Sequence, residues 1–209
     1  GRTLLGDTQR QWLLDGLSDS QGAATWKVIG NPVMISPIRT TDLDTPEARA
    51  ADPNLPKHAG LYANSSFDSW DGYVWERDVV LAHLADNSID NTVFVTGDYH
   101  SFWQHTLTAD FDDPASPKVA NEFAAGAISS AGGAMNENYL FGQADWGHYE
   151  PGFNYIDGLR NGFGLLEATP SEMVVSYFAH SALSRYSTPT ESARFTLTPG
   201  DPDPTVQVF

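Results

Sequence analysis

A chain of 209 residues with 41% hydrophobic and 12% aromatic content carries enough apolar side chain for a packed core, which excludes a disordered segment. Its 27 acidic and 11 basic residues leave a net charge of −16; that field repels nucleic acid and anionic bilayers unless cations intervene, so nucleic acid is excluded as a partner and a metal site is permitted. The absence of cysteine rules out disulfides, thiolate nucleophiles and zinc–thiolate centres.

No apolar run approaches the roughly 20 residues of a membrane-spanning helix, and the start, Gly1-Arg2-Thr3-Leu4-Leu5-Gly6, lacks the charged and apolar regions of a signal peptide, so any targeting signal is expected upstream. Asp7 or Thr8 is placed to cap a helix. Gln11 stands at capping-box spacing from Thr8, and Trp12, Leu13 and Leu17 form an apolar side that should stop before Ser18. Trp26 to Ile35, interrupted by Gly30, Asn31 and Pro32, reads as a buried strand entering a turn, with Asn31 at the strand end. From Ser36 to Asp71, four prolines amid Asp, Ser and Asn predict a long ordered loop.

Val74 to Asp86 resumes helical spacing, with Val80, Leu81 and Leu84 inward and Glu76, Arg77 and Asp78 toward solvent. The β-rich run from Asn91 to Thr96 fits a strand buried on both faces, and a helix followed by such a strand indicates an α/β sheet. Further on, Thr106 to Phe111 reads as an amphipathic strand with Asp112-Asp113-Pro114 as its turn. Gly126 to Gly133 is a glycine- and serine-rich loop. Phe163 to Ala168 and Met173 to Phe178 form a hairpin around Thr169 to Glu172, and Arg194 to Phe209 holds one more strand and a Pro/Asp tail.

The chemistry concentrates at Gly97-Asp98-Tyr99-His100. The strand from Val93 to Thr96 runs straight into it, and open α/β sheets place ligand sites at the carboxyl ends of strands. If the chain stays extended, Asp98 and His100 point the same way and a carboxylate oxygen and an imidazole nitrogen converge as metal ligands. That donor pair suits iron, manganese or zinc, whereas calcium prefers oxygen alone. Two metals about 3.5–4 Å apart can activate a water and neutralise phosphate oxygens. No Ser or Cys stands in an activated setting, so a metal-activated hydroxide is the expected nucleophile. His83 reads as a surface or core histidine, and His58, His105 and His180 match no ligand spacing. The alternative class is a non-catalytic β-rich binding or structural module built from the strands after Thr106.

The blocks around that motif resemble the C-terminal part of PhoD-like alkaline phosphatases, a family that includes secreted bacterial phospholipases D lacking the His-Lys-Asp signature. Asp68 to Tyr73, Glu76-Arg77 and Thr96 to Ser101 with Trp103 match in order and spacing. So do Arg2 to Gly6 with Gln9 and Trp12-Leu13, Ala109 to Pro114, and Ile128 to Gly133. The resemblance implies a metallophosphoesterase fold, an αββα sandwich of two sheets between helices. Residues 1–180 would be the C-terminal part of the catalytic domain, and residues 181–209 a further strand and tail of that domain, forming a β-rich end. It also implies secretion by the twin-arginine route and a site holding iron and calcium. Carried over, Asp98 and His100 are the catalytic metal ligands, and Asn31, Asp71 and Tyr99 are assigned to the substrate. The family's remaining ligands, including a Trp-Asp-Asp-His block, have no counterpart in this chain. An N-terminal fragment of the same precursor is therefore the expected partner, and a phosphodiester, phospholipids included, or a phosphomonoester the expected substrate. Where relatives carry Gln-Gln after the first core strand, this chain has Asn31-Pro32. Where they have a histidine before a later strand, it has Pro151-Gly152-Phe153-Asn154.

Overall fold

A computed structural model of the chain describes residues 1–37, 69–130, 152–181 and 187–209. The first helix, α1 (Gly6–Ser20), is not opened by the side chain of Asp7 or Thr8: Leu5 is the capping residue and makes no side-chain cap bond. A carboxylate from elsewhere serves instead. Glu76, in helix α2 (Val74–Asp86), accepts the amide N–H of Leu4 at 2.5 Å and of Leu5 at 2.8 Å, and Arg10 Nη1 donates to it at 3.0 Å. A negative charge at the start of α1 also opposes the positive end of its dipole. The helix continues past Ser18 because Ser20 Oγ turns back to the Leu17 carbonyl at 2.8 Å.

The expectation that Glu76 and Arg77 face solvent is overturned: they are 0% and 2% exposed, and only Asp78 of the three lies outside. The reason is that each has a dedicated partner, and a charge so satisfied can occupy a helix's inner face. His83 ties the two helices together: its Nε2 donates to the Leu14 carbonyl at 3.1 Å and lies 2.9 Å from Ser18 Oγ.

The strands form two sheets. The first contains β1 (Lys27–Asn31), β2 (Thr92–Thr96), β3 (Phe102–Thr108), β4 (Lys118–Ala124) and β5 (Phe153–Asp157), ordered β1-β2-β4-β3-β5. β1, β2 and β4 run parallel, and β3 and β5 antiparallel to their neighbours. α2 lies on the crossover from β1 to β2, which parallel pairing requires. The second sheet is an antiparallel meander of β6 (Arg160–Ala168), β7 (Met173–Ser181), β8 (Thr190–Thr198) and β9 (Asp201–Val208). The hairpin read around Thr169 to Glu172 is its first turn, closed by Thr169 N–H to the Glu172 carbonyl at 2.8 Å.

β2 is buried on both faces, as expected. Phe94 packs with Val80, Leu81 and Leu84 of α2 and Leu17 of α1. Val93 packs the other way, against Met173, Val175 and Phe195 of the second sheet. Helices, first sheet and second sheet are therefore three layers with two apolar seams, which agrees with the α/β sandwich expected. Among the described residues the helices lie on the first sheet alone, and Phe163 and Leu165 stay 41% and 45% exposed on the second.

Three strand readings change. The strand placed at Thr106 to Phe111 instead occupies Phe102–Thr108, whose first six residues are all buried. It is a central strand, so amphipathic alternation is the wrong signal. β4 has no counterpart in the sequence reading, whereas β5 begins at Phe153, in the stretch where the family resemblance puts a later strand. The Pro/Asp tail is the edge strand β9, where Pro202 and Pro204 are tolerated because an edge leaves backbone N–H groups unpaired. Most of the Ser36 to Asp71 loop lies outside the described residues; its end forms a 3-10 turn, Trp70–Gly72.

Substituting Glu76 by Ala should lower the unfolding free energy by about 2 kcal/mol, read by denaturant titration, because two part-buried amides and the Arg10 guanidinium lose their acceptor. An equal loss should not follow Asp78→Ala, whose side chain is exposed.

Candidate active site

β1 and β2 end side by side, with Asn31 opposite Thr96 in the parallel register. Both end residues are buried. Trp70 Nε1 donates to Asn31 Oδ1 at 3.1 Å, and Asn31 Nδ2 reaches Thr96 Oγ1 at 3.5 Å. Asn31 thus stitches the 3-10 turn to two strand ends. Asp71, in that turn, forms an ion pair with Arg77 at 2.6 Å, the two side chains 3% and 2% exposed. The Arg77 guanidinium also reaches the Ile35 carbonyl at 3.4 Å and lies 5.5 Å from the Phe111 ring centre.

Beyond Thr96 the chain does not stay extended, contrary to the geometry expected for Gly97 to His100. Asp98 has φ 68° and His100 φ 55°, both left-handed, and Tyr99 N–H closes back on the Gly97 carbonyl at 2.8 Å. Asp and His tolerate this region better than most residues, at a cost of about 1–2 kcal/mol each. Such strain persists where the surroundings over-determine it, and it clusters at functional sites.

The turn is anchored on its middle residue. Tyr99 is half-buried and meets Trp103 edge-on, ring centres 5.3 Å apart. Trp103 Nε1 donates to Ser101 Oγ at 2.6 Å. Asp98 and His100, on either side, are exposed. A carboxylate and an imidazole on an exposed turn are a chemically sound donor pair for iron, manganese or zinc. Among the described residues they do not join a group of three or more His, Cys, Asp or Glu, so the pair by itself is not a complete donor set. His58, His148 and Trp146 lie outside the described residues.

Behind the turn lies a group that sequence reasoning missed. Glu122 of β4 is 1% exposed. Its carboxylate accepts the N–H of Ile35 at 2.9 Å and of Ser36 at 2.8 Å, the Ser36 hydroxyl, and the Thr96 hydroxyl at 2.6 Å. Burial pushes its carboxyl above the ordinary range, against the downward pull of these hydrogen bonds. His105, fully buried, bonds Ser36 Oγ through Nδ1 at 2.9 Å and stacks on Phe153, ring centres 4.1 Å apart.

Serine, histidine and glutamate invite comparison with a nucleophilic triad, but their order excludes it. Ser36 sits between the acid and the imidazole, is 1% exposed and cannot reach a substrate. The signal available in sequence was a carboxylate in the middle of Val119-Ala120-Asn121-Glu122-Phe123-Ala124, since a polar residue inside an apolar strand needs buried partners. Asn154, which occupies the position near where relatives place a histidine, is spent on Gln104 Oε1 at 2.6 Å and Thr106 Oγ1 at 3.1 Å.

Because the folded carboxyl of Glu122 titrates above its ordinary value of 4.5, the folded state holds the proton more tightly. Its contribution to stability is complete below that value and is lost as pH rises through the raised one. Urea titrations across that window should show the wild-type unfolding free energy falling relative to Glu122→Gln, with the two profiles parallel at higher pH.

The sequence model of the PhoD-like phosphatase family matches residues 1–177. Alkaline phosphatase D of Bacillus subtilis (strain 168) is 31% identical over 136 residues, covering 65% of this chain and 20% of that protein. The solved structure of PhoD superposes with a TM-score of 0.76 at 23% identity, over 100% of this chain and 35% of that one. The chain therefore spans a minor part of the length of both relatives.

Proposed function

The chain belongs to the PhoD-like phosphatase family, and from that membership we propose that it carries the C-terminal part of the active site of a metal-dependent phosphoric ester hydrolase. The observation behind this reading is the pair of left-handed residues, Asp98 and His100, exposed at the end of a parallel strand buried on both faces. They would hold the metal. Iron with calcium is the content implied by the family resemblance, and manganese or zinc also suits the donors. A bound metal there supplies neutralisation of phosphate oxygens and acidification of water.

The remaining roles fall to residues of this chain. Tyr99 stands between the two donors, its ring held by Trp103, and we assign it to substrate contact on that position in the turn. Asn31 and Asp71 act from the floor of the site, since Trp70 holds the amide of the first and Arg77 neutralises the second. The further donors that two residues require come from the N-terminal part of the same precursor, in keeping with the minor share of each relative that the chain covers. Phosphodiesters, phospholipids among them, are the proposed substrates, with monoesters as the competing class. We assign the protein to the extracellular side on the same resemblance.

In the complete protein, Asp98→Ala should lose metal by elemental analysis and lower phosphodiester turnover roughly a hundredfold or more. Unchanged metal content and unchanged rate would instead favour the non-catalytic β-rich module built from the strands after Thr106. Parallel assays with a phospholipid and an aryl phosphomonoester at equal metal loading rank the substrates.

A further inference from the structure

Glu122 is a buried acid whose acceptors are all filled by groups from two separate chain segments. Ile35 and Ser36 follow β1; Thr96 ends β2, immediately before Gly97. β4, which carries Glu122, pairs with β2 directly, with Thr96 opposite Ala124. The carboxylate therefore holds both strand ends by side-chain hydrogen bonds, gripping Ile35 and Ser36 beyond the ladder and Thr96 at its last rung.

Nothing in the core demands a charge at this place. Phe123 faces the second sheet with Val93 and Phe195, and Ala120, two residues before Glu122, packs against α2. An apolar residue would satisfy packing alone. An acid kept in such surroundings costs desolvation, and a cost of that kind is sustained when it fixes an arrangement that packing alone does not specify. The arrangement on offer is the left-handed turn at Asp98 and His100, which has backbone strain to resist.

We propose that Glu122 is a positioning residue for the site: its carboxylate, through Thr96, Ile35 and Ser36, holds the Gly97 to Ser101 turn in the conformation that presents Asp98 and His100. This deepens the phosphoesterase reading and rests on it for the catalytic consequence, while the structural consequence is measurable without metal or substrate.

Glutamine retains the shape of Glu122 but replaces one acceptor oxygen with an NH2 group, so Glu122→Gln breaks part of the clasp without opening a cavity. In the complete protein, hydrogen exchange should accelerate at least tenfold at the Tyr99 amide and the Trp103 indole N–H in this variant, and stay within twofold in β7 and β8. Turnover of a phosphodiester at fixed metal loading should fall at least tenfold in kcat, with KM within twofold. Unchanged exchange at Tyr99 and Trp103 would overturn the proposal, and so would acceleration shared equally by β7 and β8, or an unaltered kcat. Should Glu122→Gln fail to fold, Thr96→Val removes a single donor of the clasp, and the same exchange criterion decides. If Asp98→Ala keeps metal and rate, the phosphoesterase reading falls; the exchange at Tyr99 and Trp103 still decides whether Glu122 holds the turn.

Discussion

A carboxylate inside a sheet must be supplied with donors, and in this molecule that requirement organises everything near the strand ends. Glu122 takes N–H and O–H groups from the segment after β1 and from the end of β2. Those two strands must then run parallel and in register for the donors to meet on one acid. The pairing of Asn31 with Thr96, the position of the 3-10 turn over Asn31 and the start of the Gly97 turn all follow from that meeting. The same logic repeats at Glu76, where one acid collects the approach to α1 and a guanidinium. In both places a negative charge is held by oriented N–H and O–H groups rather than by bulk water, and each joins segments that are far apart in sequence.

The interior of the first sheet is accordingly more polar than its strand composition suggests. From β5 to β9 a chain of amides crosses it: Asn154 to Gln104, Gln104 to Asn121, and Asn121 to the Pro202 carbonyl. The link to Pro202 joins the first sheet to the second by hydrogen bonding as well as by the apolar seam. A satisfied polar ladder of this type specifies register, because a slip by one residue would leave Gln104 and Asn121 buried without their partners.

What could be read from sequence was what periodicity and short motifs encode. The run Thr92 to Thr96 reveals a doubly buried strand because nearly every residue is apolar or β-branched, and the 3.6-residue spacing of Val80, Leu81 and Leu84 reveals the inner face of α2. Gly97-Asp98-Tyr99-His100 located the candidate site for the same reason, as a polar turn after a buried strand. What escaped was decided by long-range partners. Glu76 and Arg77 look like solvent residues until Leu4, Leu5 and Asp71 are brought to them, and Glu122 looks misplaced in a strand until Ser36 and Thr96 arrive. The burial of β3 was hidden by its own Gln104, His105 and Thr106, polar residues whose partners lie on neighbouring strands. The left-handed backbone at Asp98 and His100 has no composition signal, since neither residue is glycine.

The two prolines of β9 have an effect on how the molecule behaves in company. An edge strand with free N–H groups is a template on which another chain can add a strand, the first step of aggregation. Pro202 and Pro204 contribute no N–H, and the Pro202 carbonyl is already occupied by Asn121. Asp201 adds negative charge along the same stretch, and Asp203 is held in an ion pair with Lys118 at 2.5 Å. The β9 margin of the second sheet is thus a poor template for lateral growth, a protection written into the backbone that would persist at salt concentrations where the repulsion of a strongly acidic surface is screened.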